Sequence, residues 1–134
     1  MDHTCVSCEG GRPMMPFSNK TMMVAFGDGS IEVSGLSGWQ CTDCSEIEFD
    51  EESAARYAAA GDELVLESRR KAGAELRRIR KKLGLNQAEA ARLTGGGHNA
   101  FSRYENGIIA PAPAVINLFK LLEKHPEELD RLAG

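Results

Sequence analysis

The chain has 134 residues, 42% hydrophobic and 27% charged, a folded globular composition that argues against wholesale disorder. No apolar run approaches the ~20 residues of a membrane-spanning helix, and Met-Asp-His-Thr-Cys at the start lacks the basic and apolar segments of a secretory signal, so a cytoplasmic protein is expected. The net charge of −4 divides unevenly: residues 1–66 hold 12 acidic and 3 basic side chains, net −9, and residues 67–134 hold 8 acidic and 13 basic, net +5, so only the second half suits phosphate.

Up to about Asp50 the chain is rich in Gly, Ser and Met, with β-prone stretches at 21–26, 30–36 and 38–40. Phe26-Gly27-Asp28-Gly29-Ser30 predicts a hairpin turn, because glycine accepts the positive φ of a tight reversal. Cys5-Val6-Ser7-Cys8 and Cys41-Thr42-Asp43-Cys44 flank these stretches as two C-x-x-C pairs. In a reducing compartment paired cysteines read as metal ligands before disulfides. Four thiolates complete a tetrahedron and leave no open position, so one structural Zn2+ per chain is expected at Cys5, Cys8, Cys41 and Cys44. Iron suits the same ligands. Two local disulfides would be strained at this spacing, and a redox dithiol would need no second pair. His3 reads as a solvated residue and not as a ligand.

From Asp50 the texture turns helical, with Asp50 as cap and Glu51 and Glu52 at the positive end of the helix dipole. Gly61-Asp62 predicts a break or hinge, and a boundary is placed near residue 68, dividing the chain into domains 1–68 and 69–134. Ala72, Leu76, Ile79 and Leu83 recur at helical spacing, with Arg77, Arg78, Arg80, Lys81 and Lys82 on the other faces, and Gly84 stops that helix. Asn86-Gln87-Ala88-Glu89 is a capping-box start for a second helix to about Leu93, ended by Gly95 to Gly97. A third helix is expected from about His98 to Glu105, closed by Asn106-Gly107. Pro113 opens a fourth, whose Val115, Leu118, Phe119, Leu121 and Leu122 exceed what one small core needs; the excess is read as a homodimer interface. His125-Pro126 breaks the chain before a last short helix.

Helix, short turn and helix in the basic half match an arrangement that places its second helix in the major groove of double-stranded DNA. Leu85-Asn86-Gln87 with Ala90 and Leu93, then Phe101-Ser102-Arg103-Tyr104-Glu105-Asn106-Gly107 and Pro111, resembles the Cro/C1 or XRE-type repressor pattern. Gly95-Gly96-Gly97-His98-Asn99-Ala100-Phe101-Ser102-Arg103-Tyr104-Glu105, with the preceding cysteines and Lys124-His125-Pro126, resembles the MqsA (YgiT-type) antitoxin family over nearly the whole chain, most strongly at 83–126. The resemblance implies an α+β protein: a small β-rich four-cysteine zinc domain, then an all-α lambda-repressor-like domain of about five helices. It implies that the first domain binds and neutralises a small ribonuclease toxin, and that the second dimerises and represses transcription at a palindromic operator. The family's base-reading Asn and Arg fall on Asn99 and Arg103; positions four apart share a helical face, and these side chains pair bidentately with adenine and guanine. The alternative for the same two residues is that Asn99 caps the helix after the glycines and that Arg103 pairs with Glu105 or with phosphate. Phosphate contacts are expected from Arg77, Arg78, Lys81, Lys82, Gln87 and Ser102, and from the basic run Arg69 to Lys71. Phe101 and Tyr104 are expected to pack, and His98 to lie in an exposed loop. The alternative is a stand-alone zinc-containing regulator without a toxin. An enzyme is not expected, since four thiolates saturate the metal and no nucleophile and base are paired.

Overall fold

Two 13-residue strands, β1 (Met14–Phe26) and β2 (Gly29–Cys41), fold onto each other antiparallel, turning through Gly27 and Asp28 with Gly27 at φ +60°. The expected turn is therefore where it forms, and the strands run longer than the sequence suggested. Pro16 is tolerated because β1 is an edge of the β1-β2-β3 sheet, where a missing N–H breaks no ladder. Register shifts between Phe17 and Met22 absorb Asn19, which has φ 53°. The third strand, β3 (Ile47–Phe49), pairs with residues 38–40 of β2 and was not foreseen; three residues carry no readable alternation.

The computed structural model describes residues 3–9 and 11–133, and the chain divides into two compact units, Met1–Leu64 and Val65–Gly134. In the first unit the sheet buries Val24, Val33 and Leu36 against Ala60 and Leu64 of helix α1 (Glu51–Lys82). Phe49 joins Phe17 and Tyr57 in an aromatic chain at 6.2 and 5.0 Å between ring centroids. The start of α1 is fixed twice. Asp50 Oδ1 accepts from the Ser53 N–H at 2.8 Å, and the buried Ser53 hydroxyl accepts from the Ser37 N–H of β2 at 2.8 Å.

The break expected at Gly61-Asp62 does not occur: α1 runs unbroken for 32 residues, and the division between the units falls inside it. One glycine costs a helix about 1 kcal/mol, which the alanines before it and the burial of Ala60 and Leu64 outweigh.

In the second unit, α2 (Gln87–Thr94) opens on a complete capping box, in which Asn86 Oδ1 accepts from the Glu89 N–H at 2.8 Å and Glu89 Oε1 from the Asn86 N–H at 3.0 Å. Gly95 in left-handed geometry closes it. Helix α3 (Ala100–Glu105) begins two residues later than expected, because His98 and Asn99 form the turn that delivers the chain to it. Pro113 starts α4 (Pro113–Lys124), and a 3-10 turn at Pro126–Glu128 leads into α5 (Leu129–Ala133). Leu76, Ile79, Ala90, Ala91, Phe101 and Phe119 form the core, flanked by Leu83, Leu85, Leu93, Tyr104, Val115 and Leu118. The architecture is α+β, and among the described residues no helix is long and apolar enough to cross a membrane.

The five residues named on the fourth helix differ in burial. Phe119 and Leu122 are 0% and 1% exposed, so they belong to the core of their own unit and have no surface to offer a second chain. Of the five residues named, Leu121 is well exposed at 57%, and Val115 and Leu118 are half-buried. Phe119 packs against Phe101 with 5.1 Å between ring centroids, which takes much of the apolar surface of α4 into the core of its own unit.

Candidate metal centre and nucleic-acid interface

The hairpin register brings the two cysteine pairs together. Met14 lies opposite Cys41, so the loop before β1 and the loop after β2 meet at one end of the sheet. Each loop is held by backbone: the Cys5 N–H donates to Arg12 O and the Cys41 N–H to Glu46 O, both at 2.8 Å. The sulfurs of Cys5, Cys8, Cys41 and Cys44 all lie within 4.8 Å of one another, with Cys5–Cys44 at 3.6 Å and Cys8–Cys41 at 3.7 Å. A metal with sulfur ligands at ~2.3 Å has tetrahedral edges of about 3.8 Å. The spacing fits such an ion and is far from the ~2 Å of a disulfide.

The electrostatics point the same way. Burial pushes the Cys5 thiol up, and contact with the Cys44 and Cys41 thiols, then burial, pushes Cys8 up. Cys41 moves in the other direction, to about 7, because the backbone N–H groups of Cys44 and Asp43 are aimed at its sulfur. Four sulfurs crowded in this way hold four negative charges only when a cation sits among them. Cys5 and Cys41 are buried together with Met14, and Trp39 packs against them, which shields one side of the cluster.

His3, expected to be solvated, stacks on Trp39 with 3.6 Å between ring centroids and reaches 3.7 Å from Glu48. An apolar ring two residues from a buried cysteine provided a packing surface that composition does not reveal. Asp43 pairs with Arg12 at 3.0 Å on the exposed surface.

In the helical unit Asn99 and Arg103 are both exposed and stacked one turn apart, the Arg103 N–H donating to Asn99 O at 3.1 Å. Asn99 makes no side-chain cap hydrogen bond, so its amide is not occupied in holding α3. Among the described residues Arg103 enters no ion pair; the expected competitor, Glu105, turns inward instead. Phe101 is buried and Tyr104 packs against it at 5.5 Å, and His98 is exposed, as the sequence suggested.

The basic residues named for phosphate fall into two groups. Lys81 is exposed, Arg77 is exposed with its Nε 3.9 Å from Glu105, and Gln87 and Ser102 are half-buried. Arg78, by contrast, is held between Glu75 and Glu123, both at 2.6 Å, and Lys82 reaches Glu123 at 3.3 Å. Arg69 is half-buried while Arg70 and Lys71 are exposed. The pairing of Arg80 with Glu105 was not foreseen: Arg80 was expected on an outer face and Glu105 beside Arg103, yet the two side chains are 10% and 5% exposed and paired at 2.8 Å. The available signal was position: Arg80 adjoins Ile79 and precedes Leu83 by three, at the edge of the apolar stripe.

The comparisons with known proteins agree over nearly the whole chain. Residues 3–133 match the family described as the antitoxin component of a bacterial toxin-antitoxin system, MqsA. The Antitoxin MqsA of Escherichia coli (strain K12) is 34% identical over 134 residues, spanning 96% of this chain and 98% of that protein. With the four-thiol cluster and the helical unit both inside the matched span, this chain belongs to the MqsA antitoxin family.

Proposed function

We propose that this protein is a non-enzymatic cytoplasmic regulator whose first unit binds and neutralises a small ribonuclease toxin and whose second unit represses transcription. It does the latter as a homodimer on a palindromic operator. One observation carries the reading: a single chain of this family joins a closed four-sulfur unit to a basic helical unit that exposes Asn99 and Arg103 on one turn. Zn2+ held by Cys5, Cys8, Cys41 and Cys44 would supply structural closure only, because four sulfurs complete its shell. The acidic surplus of the first unit suits a basic RNA-cleaving partner. The family match favours this reading over a stand-alone regulator.

On DNA, α2 crosses the backbone and α3 enters the major groove, with Asn99 facing adenine and Arg103 facing guanine. Phosphates are met by Arg77, Lys81, Gln87 and Ser102. Arg78 and Lys82 are engaged by Glu75 and Glu123, and reach phosphate only by releasing those carboxylates. The dimer contact is formed through Leu121, with Val115 and Leu118 at its margin.

The test is co-purification with the product of the adjacent reading frame, inhibition of RNA cleavage by that product, and titration of the upstream promoter. Arg103→Ala should cost about 1–3 kcal/mol on operator DNA and blur its sequence preference, whereas Lys81→Ala should weaken all duplexes alike and flatten the salt slope. Equal losses for Arg103→Ala on operator and scrambled duplex would remove the base-reading role.

A further inference from the structure

Helix α3 is poorly equipped to hold itself in place. It has six residues and no side-chain N-cap bond, well below the length at which a helix is stable alone. Its position must come from outside.

One guanidinium on α1 supplies most of it. Arg80 Nε and Nη2 donate to the two carboxylate oxygens of Glu105, the last residue of α3, at 3.1 and 2.8 Å. The remaining arm, Nη1, donates to the carbonyl of Leu85 at 2.8 Å, immediately before the Asn86 cap of α2. A rigid planar group thus fastens the end of α1, the entry to α2 and the end of α3 to one another. The approach is close on the same side of α1: a Cβ on Gly73 would lie 2.0 Å from the Tyr104 carbonyl oxygen, so only glycine lets α3 sit where it does.

Buried ion pairs give little net stability, since desolvation offsets the attraction, but in some proteins their directional bonds select one arrangement among similarly compact ones. Lysine cannot reproduce this one, because it lacks the planar fork that bonds two oxygens and a third acceptor at once. Glu105 is two residues from Arg103, so any slip of the α3 terminus moves the side chain assigned to base reading.

We propose that Arg80, through Glu105 and the Leu85 carbonyl, is the positioning residue that sets the register of α3 against α2 and thereby the sequence preference of the DNA-binding face. This rests on the DNA-binding reading given above. Arg80 touches no base in this account; it acts through α3.

The test compares the full-length dimer with the double variant Arg80→Met/Glu105→Leu, which replaces the pair by apolar groups of similar size, and with Arg80→Lys. Each is titrated against its own upstream promoter and against scrambled duplex of equal length and salt, and melting is followed by circular dichroism. The expected result is a double variant that melts near the wild-type temperature and binds scrambled duplex within about twofold of wild type, yet loses about tenfold or more of its promoter preference. Arg80→Lys should lose preference by about threefold or more while keeping the charge. Should the double variant not fold, Arg80→Lys alone decides. A folded variant with undiminished preference would overturn the proposal and leave the DNA-binding reading intact. If wild type itself shows no promoter preference, the DNA-binding reading falls first and the positioning role with it.

Discussion

Of the six largest fully buried side chains, Leu76, Ile79, Phe101, Phe119 and Leu122 lie in the helical unit and only Leu36 in the sheet unit. The sheet unit has a second buried cluster, but its members are Cys5, Met14 and Cys41 at the sulfur site. Two units of similar length therefore close in different ways: one by interlocking aromatic and aliphatic side chains, the other by drawing the ends of a long hairpin together through sulfur. Small size makes a metal clamp useful to the unit with the smaller packed core, because a short chain buries a smaller share of its surface than a large domain does.

The comparison breaks most sharply on metal removal. Chelation, or Cys41→Ser, should release the bound metal, open the loops at both ends of the hairpin and abolish the fold of the sheet end. The helices of the second unit should keep their melting transition. Metal analysis, thiol titration and two-probe melting check this, with loss of the metal removing roughly 10 kcal/mol of binding energy coupled to folding. Native protein with four titratable thiols and no metal would remove sulfur closure as the device of the sheet unit.

Next in size are two apolar positions on α4 that differ in burial. Phe119→Ala should cost about 3–5 kcal/mol of unfolding free energy, because it empties the centre of the core beside Phe101. Leu121→Ala should change stability of the isolated chain by less than about 0.5 kcal/mol. Its effect should appear instead in sedimentation, as a weaker dimer. An unchanged sedimentation profile for Leu121→Ala would move the dimer contact off this face.

The same contrast separates what was legible in the sequence from what was not. Features with local causes could be read directly: the Gly27-Asp28 reversal, the Asn86/Glu89 capping box, the stop at Gly95 and Pro113 at a helix start. The convergence of the two C-x-x-C pairs is long-range and was legible for another reason, that a shared metal chemistry names the partner. Features decided by distant partners could not. The continuity of α1 through Gly61 depends on Ala60 and Leu64 packing under the sheet. The inward turn of Glu105 depends on Arg80, 25 residues earlier, and the burial of Phe119 on Phe101. Strand β3 exists because β2 offers it an edge. For the same reason the pairing of Arg78 and Lys82 with Glu123, some 40 residues on, could not be read from the sequence.

That Glu75/Arg78/Glu123/Lys82 group gives the smallest effect and the most direct check on which lysines and arginines are free. The Arg78 guanidinium, with help from Lys82, lowers the Glu123 carboxyl to about 2, and Arg78 holds Glu75 below its ordinary value as well. A carboxylate depressed in the folded state contributes stability that is fully present above its unfolded value of about 4.5. The contribution fades as pH falls from there towards 2 and is absent below. Glu123→Gln should therefore lower the melting temperature of the helical unit slightly near neutral pH. The difference from wild type should narrow between pH 4.5 and 2 and shrink in high salt, since the pairs are partly exposed. If Arg78 and Lys82 are released from Glu123 on binding DNA, the same substitution should also tighten binding to scrambled duplex, because Lys82 no longer has to leave a carboxylate and Arg78 is held by Glu75 alone; the salt slope should stay near that of wild type, since the same phosphates are met. An affinity for scrambled duplex identical to wild type would mean that the group stays intact on DNA, leaving phosphate to Arg77, Lys81, Gln87 and Ser102.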